Sequence, residues 1–327
     1  MEVQDGAELC FPHLPNISCR RPLSSGFEAV ILNILLFSFT VLTIALNLLV
    51  IISVSQFRQL QTPTNILLLS LAVSDFLVGI VVMPGAISTQ ISCWFVGDVL
   101  CSLCAYISFI IICSSVGDMV LISIDRYVAI CDPLHYTTKI TVRRVKLCVC
   151  LCWLFSALVS IVFAKDNLTH PGRYNSCHGE CVIFTDDISR VVDLVLSFII
   201  PVTLIIILYM RVFVVAVSQA RAMRSHVAAV TLQVSLISKK SELKAARTLG
   251  IIVVVFLVCC FPYYCVSLVA DKFSNSLYEF FVLCLLHFNS CMNPVIYAMF
   301  YPWFRKAIKL IVTLQILQPG SSDANIL

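Results

Sequence analysis

Three acids stand inside long apolar runs of this chain: Asp75, Asp118 and Asp193. A carboxylate in hydrocarbon is costly and rare, so each must hold a cation, relay a proton or hydrogen-bond a neighbouring helix. Asp193 lies in VVDLVLSFIIP, residues 191–201, eight residues before Pro201. At 1.5 Å rise per residue that is about 12 Å along a helix. Ser189, Asp193 and Ser197 recur every four residues and form one polar stripe on an otherwise apolar helix. Such a stripe faces other helices rather than lipid. An inward carboxylate can bind an ammonium group, and the rings of Phe109, Tyr263 and Tyr264 could add cation–π contacts of about 0.5–2 kcal/mol each.

The composition sets the medium. Of 327 residues, 60% are hydrophobic and 12% charged, with mean hydropathy +0.98. Soluble domains carry about twice that charged fraction, so this is an integral membrane protein. A net charge of +4 is too mild to point to nucleic acid. Most of the 17 cysteines lie in apolar runs such as LCVCLCW (147–153) and read as small buried hydrophobes rather than metal ligands. The start, MEVQDGAEL, is acidic and lacks a signal-peptide pattern. Asn16-Ile-Ser18 and Asn167-Leu-Thr169 are glycosylation acceptors that must face the lumen to be used.

A spanning helix needs about 20 apolar residues. Such runs occur near 27–53, 64–86, 98–124, 146–164, 189–213, 246–270 and 277–300. The chain therefore reads as an all-α membrane protein, a seven-transmembrane helix bundle. Residues 1–26 form an N-terminal segment, 27–300 the bundle, and 301–327 an amphipathic helix and tail. Lys139, Arg143, Arg144 and Lys146 follow span 3. Arg211, Arg221, Arg224, Lys239, Lys240, Lys244 and Arg247 follow span 5, and Arg305, Lys306 and Lys309 follow span 7. The basic side is cytoplasmic, which places the N-terminus outside together with both glycosylation acceptors. PWFRKAIKLIVTL, after Tyr301, alternates apolar and basic residues as a helix lying on the inner membrane face does. The closing QPGSSDANIL reads as disordered.

Seven spans fit a receptor, a transporter or a pump, and the motifs inside them discriminate. Asp125-Arg126-Tyr127 closes span 3 and Asn293-Pro294-Val295-Ile296-Tyr297 closes span 7. Leu71-Ala72-Val73-Ser74-Asp75 lies in span 2, Asn47 in span 1, Trp153 in span 4, Pro201 in span 5 and Pro262 in span 6. One signature per helix, in order, resembles the rhodopsin-like class of G-protein-coupled receptors. Within that class, Asn289-Ser290 through Asn293-Pro294, Tyr297, Tyr301 and Trp303-Phe304 resemble the span 7 fingerprint of the trace amine-associated receptors. Cys10-Phe11-Pro12 through Asn16-Ile17-Ser18-Cys19 resembles their N-terminal segment, and Lys240-Ser241-Glu242 running into 244–250 resembles their entry to span 6.

The resemblance implies a set of roles. Cys101 pairs with Cys181, and Cys177 pairs with Cys19, with Cys10 as the competitor. Arg126 faces Glu242 across the inner ends of spans 3 and 6, or pairs with Asp125 in its own turn. Tyr209 and Tyr297 are the tyrosines that move on activation, and Phe256 packs on Pro201 and Val116. Asp75, Ser115, Asn289 and Asn293, with Asn47 and Ser290, converge on a site for an allosteric sodium ion or a water cluster. No other cofactor is implied.

Two departures sharpen the reading. Cys260 replaces the tryptophan that the class usually carries two residues before the span 6 proline. Ser108 occupies the place, eighteen residues before Arg126, where most amine receptors have the aspartate that binds the ligand. An ammonium does not enter a dry pocket without a counter-ion. Asp193 matches an aspartate found in a fish-type subset of the family, in which span 5 holds the amine. The implied pocket is Asp193 with Ser108, Phe109, Ile112, Ser197, Tyr263, Tyr264 and His287. A second ammonium, in a diamine, would meet Asp186 or Asp187.

The leading expectation is a plasma-membrane receptor for extracellular odorant amines, in olfactory sensory neuron cilia, acting on a stimulatory heterotrimeric G protein of the Gs/Golf type. A receptor for a non-amine ligand is the alternative that Ser108 and Cys260 keep open. A proton-coupled transporter using the three acids is a third, but inverted repeats and broken helices are not evident. No nucleophile–base constellation supports an enzyme.

Overall fold

The computed structural model describes residues 9–20, 27–91, 93–225, 233–267, 276–318, 321 and 326. Span 1 is α1 (Phe27–Gln56), and span 2 is α2 (Pro63–Leu77) running through a π-helical turn, Val78–Val82, into α3 (Met83–Ile91). Span 3 is α4 (Asp98–Cys131); a short α5 (Tyr136–Lys139) precedes span 4, α6 (Val142–Thr169). Span 5 is α7 (Asp187–Asp193), a second π-helical turn, Leu194–Ile199, and α8 (Ile200–Ser225). Spans 6 and 7 are α9 (Gln233–Ser267) and α10 (Ser276–Phe300), and α11 (Pro302–Val312) follows. Six of the described spans are long and apolar enough to cross a membrane; the apolar part of the sixth, Gly250–Val266, is shorter.

Local chemistry sets the ends and the breaks. Thr62 and Thr141 cap α2 and α6 by accepting hydrogen bonds from the N–H groups of Asn65 and Arg144. Gly97, at φ 85°, turns the chain into α4, a backbone conformation that side chains disfavour. Each π-helical turn ends just before a proline, Pro84 or Pro201. A proline lacks the N–H that would close the turn and its ring crowds the carbonyl four residues back, so the helix opens there.

The bundle is organised round α4, which packs against α2, α6, α8 and α9, while α1 lies against α2 and α10. Spans 3 and 4 approach closely at Gly117, where a Cβ would fall 2.3 Å from the Cys152 Sγ. The largest buried cluster runs from Leu60 and Phe304, at the end that holds Asp125-Arg126-Tyr127, through Val116, Phe256 and Tyr297 to Cys260 and Tyr264. The tail read as disordered contributes to it: Ile326 is fully buried and its N–H donates to the Gln59 Oε1 at 3.3 Å. An isoleucine in a polar tail gains by covering apolar surface.

The opposite end is closed by covalent chemistry. Cys19 is bonded to Cys177 and Cys101 to Cys181, and a third bridge joins Cys10 to Cys93. Cys10 is thus not a competitor for Cys177. Main-chain hydrogen bonds reinforce the join: Cys19 N–H to the His178 carbonyl, His178 N–H to that of Ile17, and Trp94 N–H to that of Gly179. The two glycosylation acceptors sit in different surroundings: Asn16 is exposed and Asn167 is not. Asn167 is buried, its amide donates to the Phe184 carbonyl at 2.8 Å, and its side-chain oxygen accepts from the Phe184 N–H at 3.1 Å. The loop thus engages the Asn167 amide on both sides, whereas Asn16 is open to solvent.

Candidate functional site

The π-helical turn in span 5 shapes the surroundings of Asp193. Pro201 opposes the Ser197 carbonyl, and the widened turn leaves Ser197 buried, its hydroxyl donating to the Asp193 Oδ1 at 2.8 Å. From α4, the Cys113 Sγ lies 3.7 Å from the Ser197 Oγ. The stripe therefore faces span 3. Its third member, Ser189, is elsewhere engaged: its N–H and hydroxyl both go to Asp186, which caps α7.

Aromatic rings gather on the sixth span. Tyr264 stacks on Phe198 with ring centroids 4.5 Å apart, and Tyr263 meets Tyr264 edge-on at 5.3 Å. Phe198, which follows Ser197 in the chain, thereby ties these rings to the Asp193 stretch of span 5. Ser108 donates to the Cys104 carbonyl at 2.7 Å inside its own helix, and Phe109 leans on Phe163 of α6 with centroids 6.0 Å apart. Ile112 and His287 are half-buried on α4 and α10. A half-buried carboxylate, a hydroxyl on one of its oxygens and stacked rings nearby can hold a cation.

Other acids at this end are committed. Asp186 accepts from Ser189, which pulls its carboxyl below the usual carboxylate range, and Asp187 pairs with Arg190. Asp98 accepts from Asn175, Glu180 from the Ser176 N–H, and Asp166 from Tyr174. The second anchor considered for a diamine, Asp186 or Asp187, is thus occupied within its own helical turn. Cys19, Cys177 and Glu180 lie together, but the two sulfurs form a disulfide and offer a metal no thiolate.

Deeper in the bundle, Asp75 is fully buried and its Oδ2 accepts from the Asn293 amide at 2.7 Å. Asn47 ties span 1 to span 7 by donating to the Ser290 carbonyl at 3.0 Å. Four side-chain oxygens here, Asn47 Oδ1, Asp75 Oδ1, Asn289 Oδ1 and Asn293 Oδ1, are buried without a protein hydrogen-bond partner. Ser115 is buried on α4. Unpartnered acceptors of this kind suit a hard cation or bridging water.

Asp118 belongs to a different construction. Its Oδ2 accepts from the Ser70 hydroxyl at 2.8 Å, and the Ser70 oxygen accepts from the Trp153 indole N–H at 3.1 Å. One chain of hydrogen bonds thus crosses spans 2, 3 and 4.

At the Asp125-Arg126 end, the Arg126 Nε donates to the Asp125 Oδ2 at 3.0 Å. Thr64 donates to the same oxygen at 2.9 Å, and Tyr136 of α5 donates to Oδ1 at 2.9 Å. Burial, first, and the neighbouring Asp125 push the Tyr136 hydroxyl up to about 12, so it keeps its proton and stays a donor. Glu242 lies in α9, but its side chain falls outside the described ones. The Tyr209 and Tyr297 hydroxyls are buried without a hydrogen-bond partner.

The residues read from the sequence fall into three groups. Asp193, Ser197, Tyr263 and Tyr264 come together, as do Asp75, Asn289 and Asn293, whereas Ser108 and Phe109 turn to partners on spans 3 and 4. Sequence reasoning missed Cys113 and the Cys10–Cys93 bridge. The second was legible as a count: Cys10, Cys19, Cys93, Cys101, Cys177 and Cys181 make an even set at one end.

Comparison with known proteins then fixes the lineage. The profile of the family described as 7 transmembrane receptor (rhodopsin family) matches residues 46–297. Trace amine-associated receptor 13c of Danio rerio is 37% identical over 98% of this chain and 97% of its own length. Trace amine-associated receptor 8a of Rattus norvegicus is 39% identical, over 98% and 96%. Trace amine-associated receptor 6 of Pan troglodytes is 40% identical, over 98% and 95%.

Proposed function

The chain belongs to the rhodopsin family of seven-transmembrane receptors and, within it, to the trace amine-associated receptors, and from that membership we propose that it senses extracellular amines whose ammonium is held by Asp193. It is a multi-pass membrane receptor and not an enzyme. The observation that carries the proposal is the Asp193–Ser197 pair, inward on span 5 against Cys113 of span 3, while Ser108 leaves the usual counter-ion position of span 3 without a charge. The engaged state of Asp186 and Asp187 favours a monoamine over a diamine.

The disulfide-bearing end faces the extracellular side, where bridges persist, and the end rich in Lys and Arg faces the cytoplasm. There the Asp125–Arg126–Thr64–Tyr136 cluster holds Arg126 against its own helix. Releasing it upon activation opens the groove for a stimulatory G protein. Expression in olfactory sensory cilia and an odorant role for the amine follow from the family reading.

The test is a cyclic AMP reporter in cells displaying wild type or Asp193→Asn, challenged with a panel of monoamines and diamines. A response in wild type that the variant loses at equal surface level is the expected result. Equal responses would remove Asp193 from the site, and silence towards every amine would favour a non-amine ligand.

The unpartnered oxygens around Asp75 support a bound sodium ion that stabilises the resting receptor. Replacing external sodium by N-methylglucamine should then move the amine response to lower concentrations in wild type and leave Asp75→Asn unmoved. No shift in wild type assigns those oxygens to water.

A further inference from the structure

On the disulfide-bearing face, a concavity of about 370 Å³ opens outward, and Asp193 does not line it. Asn16, Ile17, Asp98, Ser176, Cys177 and His178 line it, so the glycosylation acceptor and its neighbour form part of the wall. The site is well suited to a sugar. Asp98, although it accepts from Asn175, keeps further lone pairs for a sugar hydroxyl or amide, and Cys177 of the Cys19–Cys177 bridge gives an apolar patch. Gly172, also in the lining, carries no side chain; its missing Cβ would lie 2.4 Å from the Asp98 Oδ2, so the carboxylate lies flat against the loop.

Two further features point to an occupant attached at Asn16. Ile17 is 58% exposed although it sits on an otherwise polar wall, an apolar side chain with nothing over it. Asn16 is exposed, whereas the other acceptor, Asn167, is buried and held at both ends of its amide.

We propose that the concavity is the seat of the first N-acetylglucosamine of a glycan on Asn16, whose pyranose face covers Ile17 and the disulfide. The sugar then joins the N-terminal segment to the loop after span 4 and to the start of α4, as the disulfides do by covalent means. The inference depends on this end facing the lumen and not on the identity of the ligand.

The experiment uses the full-length receptor made in mammalian cells in three forms. One is untreated, one is trimmed by an endoglycosidase that leaves a single N-acetylglucosamine, and one is stripped by an amidase that removes the whole glycan. Hydroxyl-radical footprinting then reads oxidation of Ile17 and His178. Ile17 and His178 should be protected alike in the first two forms and oxidised several-fold faster in the third. Because the amidase leaves an aspartate, Asn16→Gln serves as the sugar-free form without a new charge and should match it. Equal oxidation in all forms, protection lost on trimming, or an Asn16 peptide found without sugar each overturns the proposal.

Discussion

Asp118 and Asp193 are both acids set in apolar helices, and the sequence around them gives little reason to treat them differently. Their partners do. Asp118 is fully buried and reaches Ser70 on span 2, which in turn accepts from Trp153 on span 4. Asp193 is only half-buried, and its hydrogen bond comes from Ser197 on its own helix, one turn on. A carboxylate bound across three helices holds a bundle together, while one bound within its own turn keeps its free side for something else. The comparison teaches that burial and the origin of the partner, more than the presence of an acid, separate a structural carboxylate from an anchor.

The sharpest way to break the contrast is to remove the charge from Asp193. Losing one member of a desolvated charge pair costs about 2–5 kcal/mol, or roughly 30-fold to several thousand-fold in affinity. Asp193→Asn should weaken amine responses by that factor with surface level and thermal stability unchanged. Removing the hydroxyl between the other two partners should do the reverse. Ser70→Ala leaves the Asp118 carboxylate and the Trp153 N–H without their partner, at about 1–3 kcal/mol for a buried group so stranded. A lowered melting temperature with an unchanged half-maximal amine concentration is the expected outcome. A variant that shifts amine potency without a loss of stability would make Asp118 part of the signalling path.

The contact that brings spans 3 and 4 together next to Asp118 offers a test of comparable size. A Cβ on Gly117 would meet the Cys152 Sγ at 2.3 Å, too close for both atoms to keep their places. Gly117→Ala should destabilise the receptor by about 1–3 kcal/mol, the usual cost of overpacking. Adding Cys152→Ala should restore most of the loss, since it removes the atom that clashes. Destabilisation that persists in the double variant would place the cost in the backbone rather than in the thiol.

Much of this was legible in the sequence. The seven apolar runs and the polar stripe at Asp193 and Ser197 follow from periodicity, and the motif carried by each span from resemblance to the receptor class. The partners of Asp118 were not legible, because they lie 48 residues away at Ser70 and, through it, at Trp153, and only the packing of three helices brings them together. The π-helical turns were hidden for another reason: Pro201 marks where a helix is disturbed, but not whether it kinks or widens. Ser189 fits the stripe by number and leaves it because Asp186 needs a donor at the helix start. Asn167 satisfies a three-letter acceptor pattern, but three letters do not tell that its amide also joins the loop at Phe184, 17 residues on.

The smallest expected effect decides how Asp193 is held. Ser197 donates to one carboxylate oxygen and so fixes the direction of the side chain while leaving its charge in place. A hydrogen bond to a charged group is worth about 1.5–3 kcal/mol when lost outright, but here the arriving ammonium itself can replace the lost donor. Ser197→Ala should therefore weaken the amine response by less than about tenfold, a neutral hydrogen bond's 0.5–1.5 kcal/mol, and should keep the rank order of amines. In the Asp193→Asn background Ser197→Ala should add no further loss, because the serine acts through the carboxylate. If Ser197→Ala instead matched Asp193→Asn in size, the hydroxyl would itself touch the ligand, and the anchor would be the pair rather than the acid.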